Sequence, residues 1–307
     1  MRPLRSTFIY VAGVFLGSAA LAPLLYQLAQ AAAEQWPALH GLAEQPFRRY
    51  VNRSLLFTAL LGLWPWLRAN GLLSRRDIGM AAPFRQWKLI GAGFALGFAT
   101  LAMAALAATW LGPREWNLTH APALYAKHLA KAGAAALVVA ILEEILFRGA
   151  LFGVLRKQWR WPAALILSSS IFAFLHFLDR RPDAPETVTW LSGLTVLPQM
   201  IHPLVWHEWF PLFPNLILVG AILAWLYQIT GTLGISIGLH AGWIFSVKSY
   251  GFLTTAPVAT AGGLWGTGKL IDGWGATLVL VTVLAGLASA TPDTSSDTSS
   301  DTEENPQ

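Results

Sequence analysis

Residues 131–156 read KAGAAALVVAILEEILFRGALFGVLR, an apolar stretch of transmembrane length that carries Glu143, Glu144 and Arg148 near its middle. An ionisable side chain at bilayer depth costs at least ~2.5 to 3.5 kcal/mol, so such residues usually mark a site of reaction or transport. Three of them within six residues indicate a functional site inside a membrane.

The composition of the chain supports the membrane setting independently of this cluster. Of its 307 residues, 55% are hydrophobic and only 12% are charged, whereas soluble domains carry about 25% charged residues. The mean hydropathy is +0.50. We therefore predict an all-α fold, a polytopic transmembrane bundle of seven or eight helices.

The chain divides into four predicted regions. Residues 1–130 hold the N-terminal transmembrane helices and loops, 131–250 a catalytic helical core, 251–290 a C-terminal helix, and 291–307 a disordered tail with five acids and no base. Residues 179–209 contain four prolines and are predicted as a loop with an interfacial helix. The predicted spans are 8–32, 50–67, 87–111, 132–155, 161–178, 210–229, 233–247 and 274–290.

Charge and cysteine content exclude several classes of function. The net charge of +5 comes from Arg and Lys that flank the apolar runs, a pattern that suits membrane lipid headgroups. No basic stripe with interleaved aromatics is present, so we expect no nucleic-acid partner. The chain has no cysteine, which excludes a thiol nucleophile and cysteine metal ligands.

Helical geometry predicts that two adjacent glutamates and two histidines meet in the membrane. Glu143 precedes Arg156 by 13 residues and His176 follows Arg160 by 16, which places both about 20 to 24 Å from the turn that joins their helices. His240 lies about 15 Å beyond the turn at Thr230, at a depth that helix tilt can level with the other two. We expect the Glu pair and both histidines to converge.

Several polar residues have a simpler interpretation than catalysis or metal binding. Glu144 and Arg148 have the i, i+4 spacing of a stabilising helix pair, which leaves Glu143 without a local partner. Ser168, Ser169 and Ser170 favour helix packing over a serine mechanism. A second polar group around His202, His207 and Glu208 lacks the second His of the His-Glu-x-x-His zinc motif.

Glutamate and histidine together activate water in two ways, and the sequence leaves both open. A carboxylate can take the proton of the water directly, with histidine sharing the proton or polarising the carbonyl under attack. Alternatively, Glu143, His176 and His240 hold a zinc ion that lowers the pKa of its bound water to about 7.

Three motifs in order resemble the CPBP family of intramembrane proteases, which includes the type II CAAX prenyl endopeptidases and bacterial relatives linked to bacteriocin processing and immunity. They are the Glu143-Glu144-x-x-x-Arg148 motif, the Phe172-x-x-x-His176 motif, and His240 within the segment GISIGLHAGW that starts at Gly234. The resemblance covers about residues 132–245. It implies a multi-pass protein of the bacterial inner membrane that cleaves membrane-associated or prenylated proteins and peptides.

The resemblance also implies a role for each residue. Glu143 and His176 would activate the attacking water, Glu144 and Arg148 would orient the site, and His240 would stabilise the oxyanion. Two positions depart from the family pattern. Ile244 stands where the family usually has an asparagine that donates to the oxyanion, a role that Ser236, Ser246 or a backbone N–H would have to take over. The segment 215–220 lacks the phenylalanine that is usual in a further family motif.

We therefore predict an intramembrane endopeptidase, an enzyme that is either glutamate-dependent or metal-dependent. Buried carboxylates and histidines also build proton relays, so a proton- or ion-coupled transporter is the alternative from another class. A noncatalytic membrane scaffold of the same fold is the third hypothesis.

Overall fold

A computed structural model describes residues 3–80, 83–112, 114–178, 187–200, 210–255, 263–266 and 269–290. The first half of the chain forms α1 (Pro3–Gln35), a 3₁₀ turn (Pro37–Leu39), α2 (His40–Ala43), α3 (Phe47–Ala69), α4 (Pro83–Trp110) and α5 (Pro122–Glu144). The second half forms α6 (Gly153–Arg156), α7 (Trp161–His176), α8 (Ser192–Met200), α9 (Leu212–Thr230), α10 (Gly234–Leu253) and α11 (Trp274–Ala290). A π-helical segment, Ile145–Phe152, joins α5 to α6 without a break.

The predicted all-α transmembrane bundle is confirmed. Each of the eight predicted spans falls on helical structure, with ends that agree within a few residues at most positions. The exceptions are α5, which begins at Pro122, ten residues before the predicted start, and α10, which runs on to Leu253. By length and composition alone, the helices Pro3–Gln35, Arg85–Trp110 and Leu212–Thr230 can each cross a membrane. The tail 291–307, the polar group at His202, His207 and Glu208, and most of the predicted loop lie outside the described residues.

One small sheet sits at the end of the bundle where α10 finishes. Strand β1 (Glu115–Trp116) pairs antiparallel with β2 (Thr254–Thr255). Arg114 donates through Nη2 to the Thr254 carbonyl and through Nε to the Thr254 hydroxyl, both at 2.9 Å. These contacts tie the connection after α4 to the end of α10.

At the opposite end of the bundle, the turn between α6 and α7 is bonded to the loop that follows α3. Lys157 Nζ, in the turn between α6 and α7, donates to the carbonyl oxygens of Asn70 at 2.7 Å and Gly71 at 2.9 Å, just after α3. In the same loop, the Ser74 and Leu73 N–H groups donate to the Asp77 carboxylate and lower its pKa. The end of α3 and the start of α7 therefore lie at one level.

Helices α4 and α10 approach so closely that their backbones touch. A Cβ atom added to Gly238 would overlap the Ile90 carbonyl oxygen, and one added to Gly97 would overlap the Leu239 carbonyl oxygen. Small residues permit such contact between membrane helices, whose association depends on close packing. This contact fixes the position of α10, which carries His240.

We expect Gly238→Ala to lower the free energy of unfolding by about 1 to 3 kcal/mol, because the added methyl group must push α4 and α10 apart. Any activity that depends on His240 should fall as well, since His240 lies two residues away on α10. Unfolding in detergent measures the first effect. Gly251→Ala, on the same helix with open space around its α-carbon, is the matched control. Equal stability of the two variants would contradict this account of the packing.

Helices α1 and α3 form a hairpin at the side of the bundle. Tyr10 stacks on Trp66 with ring centroids 4.5 Å apart and donates to the Ala59 carbonyl at 2.8 Å. The hairpin meets the rest of the protein mainly through α8, where Gly193 lies directly against the Ala19 backbone. A cavity separates the hairpin from α5 and α7.

Candidate active site

The two adjacent glutamates lie where α5 ends and the helix widens into π geometry. Glu144 is the last α-helical residue, and Ile145–Phe152 follow as the π-helical segment. Such segments are rare and often mark functional sites, because the extra residue per turn redirects side chains. Glu144 and Arg148 are both buried, while Glu143 keeps 19% of its side chain exposed. Glu143 and Glu144 are adjacent in sequence, yet the first is partly exposed and the second is buried.

Glu144 is the centre of a buried polar network. Its Oε1 atom accepts hydrogen bonds from Arg148 Nη1 and from His240 Nδ1, each at 2.8 Å. The Arg148 guanidinium lies over the Phe172 ring at 4.5 Å and reaches the Gly220 carbonyl at 3.5 Å. Burying an isolated charge is expensive, so the Arg148 guanidinium and the Glu144 carboxylate compensate each other inside the bundle. The network holds His240 in one orientation.

The other carboxylate, Glu143, faces both histidines. Its Oε2 atom lies 3.6 Å from His176 Nε2 and 3.8 Å from His240 Nε2. Both separations are longer than a direct hydrogen bond. Among the described residues, Oε2 has no hydrogen-bond partner. The three groups therefore surround one common point.

The partners of each histidine define which nitrogen carries the proton. His176 Nδ1 lies 2.8 Å from the Phe172 carbonyl oxygen, which can only accept, so Nδ1 donates. His240 Nδ1 likewise donates to the Glu144 carboxylate. In their neutral forms both rings turn an unprotonated Nε2 towards Glu143. This arrangement suits proton transfer from a water between them.

The same arrangement bears on the zinc hypothesis. Histidines that bind metals usually donate their second N–H to a carbonyl or carboxylate, as His176 and His240 do here. However, no group of three or more His, Cys, Asp or Glu side chains within the described residues has a spacing that could hold a metal ion. The donor types of Glu143, His176 and His240 fit zinc. The described side chains nevertheless form no group that could hold the ion.

An apolar cavity of about 400 Å³ opens onto Glu143. It is lined by α1, α3, α5, the π-helical segment, α7 and α8, and most of its wall is aliphatic or aromatic. Polar groups on its wall include Thr7, Tyr10, Asn52 and Trp66 in addition to Glu143. Nothing in the sequence indicated this cavity, because residues from six elements spread along the chain form its wall.

Ser236 and Ser246, the two side chains predicted as substitutes for the asparagine usual at position 244, both form hydrogen bonds within the bundle. Ser236 donates to the Leu223 carbonyl at 3.0 Å and Ser246 to the Gly242 carbonyl at 2.9 Å, so both hydroxyls are engaged within the bundle. Ile244 itself packs against a hydrophobic core cluster. Ser168 donates to the Leu165 carbonyl at 3.1 Å, which agrees with a packing role.

Comparison with known families gives one match, over residues 126–246. The matched family model is described as Type II CAAX prenyl endopeptidase Rce1-like. Together with the helical membrane fold, this match supports a CAAX-type intramembrane endopeptidase as the general class. Residues 126–246 are thus similar to the Rce1-like family, and the resemblance predicted from the three motifs is confirmed over this range. No curated protein and no solved structure matches the chain.

Proposed function

We propose that the protein is an intramembrane endopeptidase in which Glu143 and His176 activate the attacking water directly. The observation that carries this proposal is the pairing of the Glu143 carboxylate with His176 Nε2 at 3.6 Å, on the wall of an apolar cavity. Glu143 is partly exposed to that cavity, whereas Glu144 is completely buried. Glu143 is thus the carboxylate that a substrate can reach.

The reaction begins with a water held between Glu143 Oε2 and His176 Nε2. Glu143 takes a proton as the water oxygen attacks the carbonyl carbon of the scissile peptide bond. His240, when protonated on both nitrogens, donates from Nε2 to the resulting oxyanion, while Glu144 stabilises the imidazolium through Nδ1. Glu143 then passes its proton to the leaving amine as the C–N bond breaks.

The substrate is a membrane-associated peptide or protein, and the cavity suits an apolar or prenylated segment of it. The wall of the cavity is largely hydrocarbon, so a lipid chain there would lose little solvation. The family name refers to prenylated CAAX substrates. We propose the bacterial inner membrane as the location, on the basis of the family resemblance.

Cleavage of a peptide library by the purified protein in nanodiscs tests the proposed function. The library contains each peptide in prenylated and unprenylated form, and products are identified by mass spectrometry. We expect cleavage of at least one membrane-associated peptide, with a preference for the prenylated form. If a related endopeptidase cleaves the library while this protein leaves it intact, the transporter and scaffold hypotheses gain support.

Direct activation of water predicts that cleavage survives chelation. After extended incubation with 1,10-phenanthroline, activity should stay within about twofold of the untreated protein, because no step of the proposed mechanism uses a metal. An inactive analogue of the chelator, 1,7-phenanthroline, is the control for nonspecific effects. Loss of activity with the chelating isomer alone, reversed by zinc, would replace this mechanism with the zinc mechanism at Glu143, His176 and His240.

A further inference from the structure

Among the residues that line the cavity beside Glu143, Asn52 on α3 is the one with a side-chain carboxamide. Two other polar groups on the cavity wall are hydroxyls that donate to nearby helix carbonyls, Thr7 Oγ1 to Pro3 and Tyr10 to Ala59, each at 2.8 Å. Trp66 offers only a donor. The Asn52 carboxamide has two N–H donors and two acceptor lone pairs, so it can bond a ligand in the cavity in addition to a partner within the protein.

Asn52 lies at the same depth as the candidate active site. The Lys157 contacts with Asn70 and Gly71 place the end of α3 level with the start of α7. Asn52 precedes the end of α3 by 17 residues and His176 follows the start of α7 by 15, so their depths from that level are about 25 and 22 Å. Asn52 thus lines the cavity at the level where Glu143 and His176 meet.

A carboxamide in this position matches the chemistry of a peptide backbone. Both groups carry a carbonyl acceptor and N–H donors in one plane. An extended peptide inside a bilayer must find partners for its own N–H and C=O groups, because the lipid provides none. The cavity wall around Asn52 is mostly apolar and provides few such partners, so a backbone bound there would depend on the few polar side chains that line it.

We propose that Asn52 hydrogen-bonds a backbone peptide group of the substrate close to the scissile bond. This inference rests on the proposed function and extends it to a helix outside the matched range 126–246. Substrate recognition is then shared between the catalytic core and the α1–α3 hairpin. Glu143 and the histidines act on the scissile bond while Asn52 positions the strand that contains it.

Asn52→Leu removes the hydrogen bond at similar side-chain volume and tests the inference. We expect kcat/KM for a cleaved peptide to fall about tenfold to a hundredfold, the usual effect of leaving one buried polar group of the substrate unpaired. Ser54→Ala is the matched control, because Ser54 is a buried polar residue of the same helix that is not among the residues lining the cavity. Its kcat/KM should equal that of the wild type.

A backbone ester scan of the peptide distinguishes substrate contact from a structural role. Replacing the amide that Asn52 contacts by an ester should slow the wild-type protein and leave Asn52→Leu unaffected at that one position. A purely structural defect would lower cleavage of every ester analogue by the same factor. Cleavage by Asn52→Leu at the wild-type rate would overturn the inference while the proposed function stands.

Binding measured in the Glu143→Gln background separates this inference from the proposed function. A fluorescent peptide should bind Glu143→Gln and bind Glu143→Gln/Asn52→Leu about tenfold more weakly. If the wild type cleaves no peptide but this difference in binding is found, the protease proposal fails and the Asn52 contact stands. If neither variant binds the peptide, both proposals are overturned.

Discussion

Glu143→Gln should reduce peptide cleavage by about a thousandfold or more while the protein stays folded. A general base typically contributes about 10²- to 10⁴-fold to the rate. The substitution keeps the size of the side chain but removes its ability to take a proton from water. The Glu144 network, with its bonds to Arg148 and His240, does not include this side chain, so the fold should persist. Cleavage rates and unfolding in detergent measure the two effects.

Glu115→Gln is the matched control for this prediction. Glu115 is an exposed residue of β1, at the end of the bundle near the start of α5. Its substitution should leave the cleavage rate unchanged. Near-wild-type cleavage by Glu143→Gln would remove Glu143 from the mechanism and favour a noncatalytic role for the cluster.

Arg148→Met should have the largest effect on stability of the substitutions considered. It leaves the Glu144 carboxylate buried without its cationic partner, and breaking a buried ion pair from one side costs about 3 to 5 kcal/mol. The methionine side chain fills much of the space against Phe172. The loss of stability therefore comes mainly from the uncompensated charge of Glu144 and only to a small extent from lost packing. Unfolding by SDS titration measures it.

The double variant Glu144→Gln/Arg148→Met provides the control. With both charges removed, no uncompensated charge is left in the bundle, and stability should recover by at least half of the loss. The carboxamide oxygen introduced by Glu144→Gln can still accept from His240 Nδ1, since the wild-type bond there is 2.8 Å. A double variant no more stable than Arg148→Met would contradict the ion-pair account.

The meeting of Glu143, His176 and His240 was predictable from the sequence because helices have a fixed rise per residue. Counting residues from each turn placed the three side chains at similar depths, and the structure brings both histidines to within 3.8 Å of Glu143. Most helix positions were also predictable from the apolar runs, because a membrane helix must be apolar over a fixed length. The start of α5 at Pro122 was not, since residues 122–131 are too polar to be read as part of a span.

Other parts of the site could not be predicted by such counting. Glu144 was expected to pair with Arg148, but its bond to His240 depends on the rotation of α10 about its own axis, which the contact between Gly238 and α4 determines. The π-helical segment at Ile145–Phe152 has no signature in composition. The cavity lies between the α1–α3 hairpin and the helices α5 and α7, so it depends on the packing of elements that are far apart in the sequence.

Cleavage in water enriched in ¹⁸O tests the central claim most directly. If water held at Glu143 attacks the peptide bond, one ¹⁸O atom appears in the new C-terminal carboxylate of the product within a single turnover, and Glu143→Gln forms no labelled product. Unlabelled product from the first turnover would indicate an acyl anhydride on a protein carboxylate, which water opens at the protein's own carbonyl carbon so that an unlabelled protein oxygen leaves with the product. Equal labelled product from Glu143→Gln would show that another group activates the water. Either result would contradict direct activation of the water by Glu143.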